Sequence, residues 1–228
     1  MGVAIKIPKI IHHTWISSDP LPPEAADNIN TWKRHHPEWR FRLWTRDNVP
    51  PLHNQALYDA HSNTGHRADI LRYEMLLQFG GIYADMDMVC HRSIEPLLGE
   101  LSAFVSSHGD GGDSEQGLRW WWPEIAFIGA VAGHPFFQEI VQGLATFYAA
   151  HEQESISNRT GPGYFGTCLS KWKTEQWRMI DSDIVIFPPK YFMPYTFAQK
   201  DEGRKRFYPD AYAEHLWWGT WAAPNAAS

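Results

Sequence analysis

The sequence predicts a single α/β domain in which helices are layered on a sheet, and three observations support this class. The chain has 228 residues, a length that suits one domain with a substantial core better than two. Short strand-like apolar runs alternate with longer segments of helical periodicity, an order typical of layered α/β folds. No internal repeat or interdomain linker interrupts that order. We therefore expect one domain over residues 1–221, followed by a flexible Ala/Pro/Asn-rich tail at residues 222–228.

The first half of the chain contains strands and helices with clear boundaries. Residues 5–16 predict a first strand that runs into a loop. A helix begins at Pro22-Pro23 and continues to about His35, and residues 39–44 alternate as a strand does. A largely buried helix is predicted for residues 65–79, ended by Gly80-Gly81 and followed by a short apolar strand.

The second half begins with a polar, glycine-rich stretch. Residues 106–117 predict a mobile loop leading to Trp120-Trp121-Trp122. The elements predicted after it are a strand over residues 125–130, a helix over 136–150, a shorter helix carrying Leu169 and Trp172, and a strand over 184–187.

Composition excludes several classes of protein. The formal net charge is −6, from 20 basic and 26 acidic residues, so we expect no nucleic-acid partner. The two cysteines, Cys90 and Cys168, do not imply a disulfide framework; their spacing decides neither for nor against a single bridge, and they are predicted to be buried thiols. No run of about 18 apolar residues and no signal peptide is found, which predicts no transmembrane segment and a cytoplasmic location.

The strongest chemical signal is a pair of carboxylates. Asp85 and Asp87 come directly after Gly80-Gly81 and a short apolar strand. Two carboxylates in a cleft are costly unless a cation neutralises them, so the pair predicts a Mn²⁺ or Mg²⁺ site. Asp69 and Arg72 stand three residues apart on the preceding helix and can reach a common point. They fit either a substrate site or an internal salt bridge.

Several motifs together resemble a known family. They are Ile7-Pro8-Lys9-Ile10-Ile11-His12-His13-Thr14-Trp15, His66-Arg67-Ala68-Asp69-Ile70-Leu71-Arg72-Tyr73, Gly80-Gly81-Ile82-Tyr83-Ala84-Asp85-Met86-Asp87, Gly133-His134-Pro135 and His215-Leu216-Trp217-Trp218-Gly219-Thr220-Trp221. This set resembles the DXD sugar-binding region of glycosyltransferase family 32 and, more distantly, is similar to the large clostridial glucosylating toxins. The resemblance implies a GT-A fold with one mixed, mostly parallel sheet flanked by helices.

The resemblance also implies roles for the acidic residues. Asp87 would bind a divalent metal that bridges the donor's diphosphate, which agrees with the charge that develops on a departing nucleoside diphosphate. Asp85 would hold the donor ribose or sugar hydroxyls and reach the metal through water. Asp69 would accept hydrogen bonds from donor-sugar hydroxyls, and Arg72 would lie beside the sugar and diphosphate oxygens.

Aromatic and histidine residues near the first strand have two interpretations each. Trp15 matches the position of the family's nucleobase-stacking aromatic, and an aromatic platform suits a base, but the side chain could equally belong to the core. Tyr83 could pack under the sugar or be core. His12 and His13 flank the same strand, and a buried histidine that bonds to the backbone is the favoured fate of either.

The closing motif supplies the remaining candidates. His215 is the predicted third protein ligand of the metal, with Glu214 as a competing ligand. Thr220 and Trp221 would touch the diphosphate, and Thr220 stands where the family more often has Ser. The segment Pro123-Glu124-Ile125-Ala126-Phe127 departs from the family's pattern, which commonly has Asn before the Ala.

The function predicted from the resemblance is transfer of a hexose from a UDP- or GDP-linked donor to a glycan or other hydroxyl acceptor, as in polysaccharide biosynthesis. The reaction would depend on metal and retain the anomeric configuration. No carboxylate stands out as a nucleophile, which favours front-side attack with the departing phosphate as base. Residues 106–122 are the expected acceptor region, with packing of the three tryptophans as the alternative. Two rival functions are a lectin-like module that binds sugar without nucleotide and a toxin-like enzyme that glycosylates a host protein.

Overall fold

The computed structural model describes residues 5–109, 122–175 and 184–219. The strands are β1 (Ile10–Thr14), β2 (Arg40–Trp44), β3 (Gly81–Ala84), β4 (Met88–Cys90), β5 (Ala103–His108), β6 (Trp122–Ala130), β7 (Ile184–Ile186) and β8 (Ala213–His215). The helices are α1 (Pro23–His35), α2 (Gln55–Ala60), α3 (Thr64–Phe79), α4 (Glu95–Leu98), α5 (Pro135–Ala150), α6 (Ile156–Arg159), α7 (Pro162–Glu175), α8 (Pro189–Phe192) and α9 (Lys200–Gly203), and a 3₁₀ turn covers Phe197–Gln199.

Six strands form one mixed sheet in the order β2-β1-β3-β6-β5-β7. The pairs β1–β2, β1–β3 and β5–β7 are parallel, whereas β6 runs antiparallel to both of its neighbours. Five of the six strands therefore point the same way, which confirms the predicted α/β class with a mixed, mostly parallel sheet. Strands β4 and β8 form a separate antiparallel pair.

Apolar side chains cover both faces of the sheet. On one face α3, α5 and α7 pack around residues such as Tyr73, Phe136 and Phe165. On the other face Trp32 of α1 stacks on Phe127 at a centroid distance of 5.1 Å and donates its indole N–H to the carbonyl of Met88. The hydrogen bond joins α1 to β4, and the ring contact joins α1 to β6 of the large sheet.

The predicted loop from residue 106 is wrong at its start, because residues 106–108 belong to β5. Their polarity suggested a loop, but the Ser106 hydroxyl donates to the Glu124 carbonyl and the Ser107 hydroxyl to the Phe187 carbonyl. These hydrogen bonds satisfy both side chains inside the sheet. Most of the remaining predicted loop, including Trp120 and Trp121, lies outside the described residues.

The other element predictions hold within a few residues, apart from short elements such as α2, β4 and β8 that were missed. Both cysteines are free thiols; Cys90 is buried and Cys168 is half-buried. Among the helices that the structure describes, none combines the length and apolar character needed to cross a membrane. The predicted tail, residues 222–228, lies outside the described residues.

Gly80 ends α3 with a φ of +61°. A Cβ added there would lie 2.5 Å from the Ala132 nitrogen and 3.0 Å from the Ala130 oxygen. We expect Gly80→Ala to lower the free energy of unfolding by about 2–4 kcal/mol, because backbone strain and a steric clash both oppose it. Urea denaturation would measure this loss.

Gly99 offers a matched control for this prediction. Its φ is +39°, yet no atom lies within 4 Å of an added Cβ. Gly99→Ala should therefore cost only the backbone strain, about 1 kcal/mol. Equal losses in the two variants would show that the close approach of α3 to the chain near Ala130 does not matter for stability.

Candidate active site

The two carboxylates lie in a tight turn between β3 and β4. The Asp85 N–H donates to the Ala126 carbonyl at 2.9 Å, and the Met88 N–H donates back to the Asp85 carbonyl at 3.1 Å. The Asn28 side-chain amide donates to the Met86 carbonyl at 2.9 Å. One bond within the turn and two bonds to other parts of the fold, β6 and α1, fix the turn, so both carboxylates are held at the end of the central strand β3.

His215 reaches this turn through the β4–β8 pair, in which Met88 is opposite His215. One ligand atom each from Asp85, Asp87 and His215 lie within 4.8 Å of one another. The His215 Nε2 is 3.0 Å from the Asp87 Oδ1. Successive residues of a strand point to opposite faces, and Glu214 accordingly lies 3.4 Å from His91. The geometry thus brings His215 into the group and leaves Glu214 outside it.

The segment after β8 also binds Asp87. The Trp218 N–H donates to Asp87 Oδ2 at 2.9 Å, and the Leu216 N–H donates to the Asp87 carbonyl at 2.8 Å. The segment therefore binds Asp87 through both its carboxylate and its backbone carbonyl. Leu216, Trp218 and Asn28 line an open groove of about 520 Å³ beside the turn.

The charges in this group are unequal. Burial raises the pKa of Asp85 above its ordinary value. Burial acts the same way on Asp87, but the adjacent imidazole and the backbone hydrogen bonds, including that of the Trp218 N–H, together outweigh it and lower the pKa of Asp87. Burial opposes protonation of His215, yet the Asp87 carboxylate raises the pKa of that imidazole. Without another cation, His215 is thus the positive partner of Asp87.

The Asp–Asp–His group fits a divalent metal chemically. Carboxylate oxygens with one imidazole suit Mn²⁺, and carboxylate oxygens suit Mg²⁺. The Nδ1 of His215 is buried and has no hydrogen-bond partner among the described residues, so no second bond commits this ring to a purely structural role. A metal bound by Asp87 and His215 would take the place of the extra proton on the imidazole.

Arg72 connects this group to α3. Its guanidinium lies 3.1 Å from Asp69 Oδ1 and 3.4 Å from Asp85 Oδ1, and it donates to the Ile125 carbonyl at 2.8 Å. The predicted internal Asp69–Arg72 salt bridge is therefore present, and the same guanidinium also contacts the carboxylate turn. The two interpretations of this pair are compatible, because the bridge places both side chains beside Asp85.

Thr160 is a member of this network that sequence reasoning missed. It is completely buried, and its hydroxyl donates to Asp69 Oδ2 at 2.8 Å. The His66 Nδ1 lies 3.1 Å from the same hydroxyl oxygen, and since the hydroxyl proton goes to Asp69, Nδ1 is the donor in this second bond. The only signal in the sequence was the turn Thr160-Gly161-Pro162-Gly163, which predicts a helix start and not a contact with Asp69.

Removing the Thr160 hydroxyl should loosen Asp69. If Asp69 binds a donor sugar, as the family resemblance implies, Thr160→Val should weaken that binding about tenfold or more, because a hydrogen bond to a charged acceptor is lost in a buried place. Thr160→Ser keeps the hydroxyl and should bind close to the wild-type value. Calorimetry would measure both affinities. Equal affinities in the Val and Ser variants would contradict a positioning role for this residue.

Asp69 also predicts a pH dependence. Burial raises its pKa from 3.8 to about 6, against the opposing effects of Arg72 and Thr160. The folded state therefore holds a proton that the unfolded state releases, and the free energy of unfolding from this group falls as pH rises from about 4 to about 6. If the ionised Asp69 carboxylate binds a donor sugar, that binding should increase over the same interval.

The variant Asp69→Asn tests this pH dependence, because its side chain does not ionise. Denaturation measured across pH should lose the change between about pH 4 and pH 6, and donor-binding curves should lose the component centred near pH 6. Identical pH curves for the wild type and the variant would contradict the assignment to Asp69.

Tyr83 and Trp15 differ in how they relate to the site. Tyr83 is 1% exposed; its hydroxyl lies 2.9 Å from both Thr14 Oγ1 and Asp85 Oδ1, and the Arg72 guanidinium covers its ring at 4.6 Å. Tyr83 thus contacts the site through both Asp85 and Arg72. Trp15 is half-buried beside Trp218 and Met86, and its indole N–H donates to the Asp19 carbonyl. This position near the turn is compatible with either interpretation of Trp15.

The two histidines of β1 are buried and bond to the backbone. The His12 Nε2 bonds to the Gly80 carbonyl and the His13 Nδ1 to the Ala84 carbonyl, each at 2.8 Å. Burial lowers the pKa of both to about 4, so they are neutral at pH 7. Thr220 and Trp221, the predicted diphosphate contacts, lie outside the described residues.

Comparison with known proteins agrees with this geometry. Residues 22–103 match a family model described as a glycosyltransferase sugar-binding region containing a DXD motif. This part of the chain is therefore similar to the sugar-binding region of the DXD glycosyltransferases. The match includes α1, Asp69, Arg72 and the Asp85–Asp87 turn, and the predicted family resemblance is confirmed.

One relative of the chain is inositol phosphoceramide mannosyltransferase 3 from Schizosaccharomyces pombe. It is 29% identical over 230 residues, which cover 92% of this chain. The chain spans 60% of the length of that relative.

Solved structures show the fold. PaToxG glycosyltransferase has a TM-score of 0.59 at 14% identity, covering 73% of this chain and 70% of that one. The catalytic domain of alpha-toxin from Clostridium novyi has a TM-score of 0.50 at 10% identity, covering 78% of this chain and 65% of that one. The GT-A fold and the more distant likeness to clostridial toxin domains are both as predicted.

Proposed function

We propose that this chain is the catalytic region of a metal-dependent, retaining glycosyltransferase that moves a hexose from a nucleotide-sugar donor to a hydroxyl acceptor. The observation that carries the proposal is the convergence of Asp85, Asp87 and His215 at the end of β3, next to the Arg72 guanidinium. We also propose that residues 1–221 form one catalytic domain.

In this proposal Asp87 and His215 hold the metal directly and Asp85 completes the site. When bound, a divalent metal supplies Lewis acidity to the donor's diphosphate and stabilises the charge of the leaving group. Arg72 is already fixed by two carboxylates and one carbonyl, so it can offer donors to diphosphate or sugar oxygens without reorganising. Thr220 and Trp221 are proposed diphosphate contacts, and Trp15 a proposed platform for the base.

The proposal that the anomeric configuration is retained by front-side attack is supported by the partners that the nearby carboxylates already have. Asp69 has one oxygen bound to Arg72 and the other to Thr160. Glu124 is buried; its Oε1 accepts from the Ile125 and Ala126 N–H groups, and its Oε2 faces the His108 Nε2 at 3.9 Å. A nucleophile needs a free, aimed oxygen. Front-side attack is therefore favoured: the acceptor oxygen bonds to the anomeric carbon, the bond to phosphate breaks, and the acceptor proton passes to the departing phosphate.

The candidate donors are nucleotide derivatives of mannose, glucose, galactose and N-acetylglucosamine. The relative named as a mannosyltransferase favours GDP-mannose, and UDP-glucose, UDP-galactose and UDP-N-acetylglucosamine are the other candidates. The acceptor is proposed to approach along the groove lined by Leu216 and Trp218, and a role in polysaccharide assembly stays a prediction. A cytoplasmic location also stays a prediction, which cell fractionation would test.

A screen of these four donors for Mn²⁺-dependent hydrolysis tests the proposal. We expect one donor to be hydrolysed with metal and not with a chelator, and the activity to be absent from Asp87→Ala. No hydrolysis of any donor by folded protein, together with binding of free sugars, would favour a lectin-like module instead.

A further inference from the structure

Residues 197–207, the basic-aromatic segment, carry exposed aromatic and cationic side chains. Phe197 is 49% exposed and Phe207 is 88% exposed. Only one other large hydrophobic side chain among the described residues, Trp122, is comparably exposed. Two exposed phenyl rings in one short segment indicate a surface that binds something.

The segment is basic in a chain that is acidic overall. Four basic residues stand within seven positions, against two acidic ones. Lys205 is 2.8 Å from Glu202, and the Lys200 ammonium lies 4.3 Å from the Phe197 ring centroid. Arg204 and Arg206 are both exposed, and no carboxylate among the described residues lies within ion-pair distance of either. Two guanidinium groups beside the exposed Phe207 are thus available to an anionic partner.

We propose that the basic-aromatic segment docks the protein on an anionic membrane surface. Lipid headgroups attract the cations, and the phenyl rings gain from entering the boundary between headgroups and acyl chains. A nucleic acid would use the cations but would leave Phe207 with no comparable apolar environment. The net charge of −6 also opposes a long polyanion more than it opposes a local contact.

The basic-aromatic segment lies close to the Asp–Asp–His group. The Phe197 ring lies 6.4 Å from the Trp217 ring, and Trp217 packs on His215 at 4.2 Å. The segment is therefore one aromatic side chain away from the Asp–Asp–His group. Docking would bring that group close to hydroxyl groups carried by lipids. Binding itself is independent of the proposed transfer reaction, so the two can fail separately.

Vesicle co-sedimentation of the full chain tests the inference. We expect binding to vesicles of phosphatidylcholine mixed with phosphatidylserine, little binding to phosphatidylcholine alone, and release at high salt. Phe207→Ser should weaken binding about tenfold. Arg204→Gln with Arg206→Gln should weaken it up to about thirtyfold, since each cation near the surface contributes about a fivefold factor.

A matched control uses two exposed cations elsewhere. Lys33 and Arg34 are exposed in the last turn of α1, and Lys33→Gln with Arg34→Gln makes the same change in net charge. This control should bind vesicles as the wild type does. The inference is overturned if anionic vesicles do not bind, if the control loses as much affinity as the segment variants, or if Phe207→Ser has no effect. It is also overturned if a DNA duplex binds as tightly as the vesicles through the same arginines.

Discussion

Asp87→Asn is expected to lower the affinity for Mn²⁺ and the rate of sugar transfer by more than about 100-fold. Asparagine has nearly the same shape and can still accept the hydrogen bond from the Trp218 N–H. It removes the negative charge that faces His215 at 3.0 Å and that a divalent cation needs. Calorimetric titration with Mn²⁺ and single-turnover kinetics would measure the two losses.

Glu214→Gln is the matched control for this prediction. Glu214 is the neighbour of His215 on β8, but its carboxylate lies toward His91 on the other side of the strand. The same change of charge at this position should leave Mn²⁺ affinity within about twofold of the wild type. A carboxylate that faces away from the metal ligands has only a small electrostatic effect on the metal. A larger loss in Glu214→Gln than in Asp87→Asn would reverse the ligand assignment.

Arg72→Met is expected to lower the free energy of unfolding by about 3–5 kcal/mol, because it leaves the buried Asp69 carboxylate and the half-buried Asp85 carboxylate without their cation. Both carboxylates lie within 3.4 Å of the guanidinium. Urea denaturation at neutral pH would measure the loss. Protonation of Asp69 relieves part of the penalty, so the difference between variant and wild type should shrink at acidic pH.

Arg72→Lys separates charge from geometry. Lysine keeps the positive charge but lacks the planar fork that contacts Asp69, Asp85 and the Ile125 carbonyl together. We expect a smaller loss of stability than in Arg72→Met but a loss of turnover of about 100-fold from misplaced groups. Wild-type turnover in Arg72→Lys would mean that only the charge matters.

Local signals explain why much of the site was predictable. The helix ended by Gly80-Gly81 and the short strand that places Asp85 and Asp87 at its end are encoded within a stretch of about 25 residues. Likewise, Asp69 and Arg72 stand three residues apart on one helix, a spacing that allows a salt bridge, and the structure has this bridge at 3.1 Å. Hydrophobic periodicity and glycine positions carry this kind of information.

Long-range pairing explains what the sequence could not supply. The choice between His215 and Glu214 depends on the register of β8 against β4, where Met88 faces His215, and a three-residue strand has no periodicity from which to infer a register. Thr160 reaches Asp69 across 91 residues. Ser106 and Ser107 appeared to be loop residues because their partners, the Glu124 and Phe187 carbonyls, are contributed by other strands.

The most direct test of the central claim is calorimetric titration of the wild-type protein with GDP and UDP, with and without Mn²⁺. If Asp85, Asp87 and His215 hold a metal for a donor diphosphate, at least one nucleotide will bind tightly with Mn²⁺ and much more weakly with a chelator, and Asp87→Asn will remove the difference. Nucleotide binding of equal strength with and without metal, or no nucleotide binding at all, would contradict the claim.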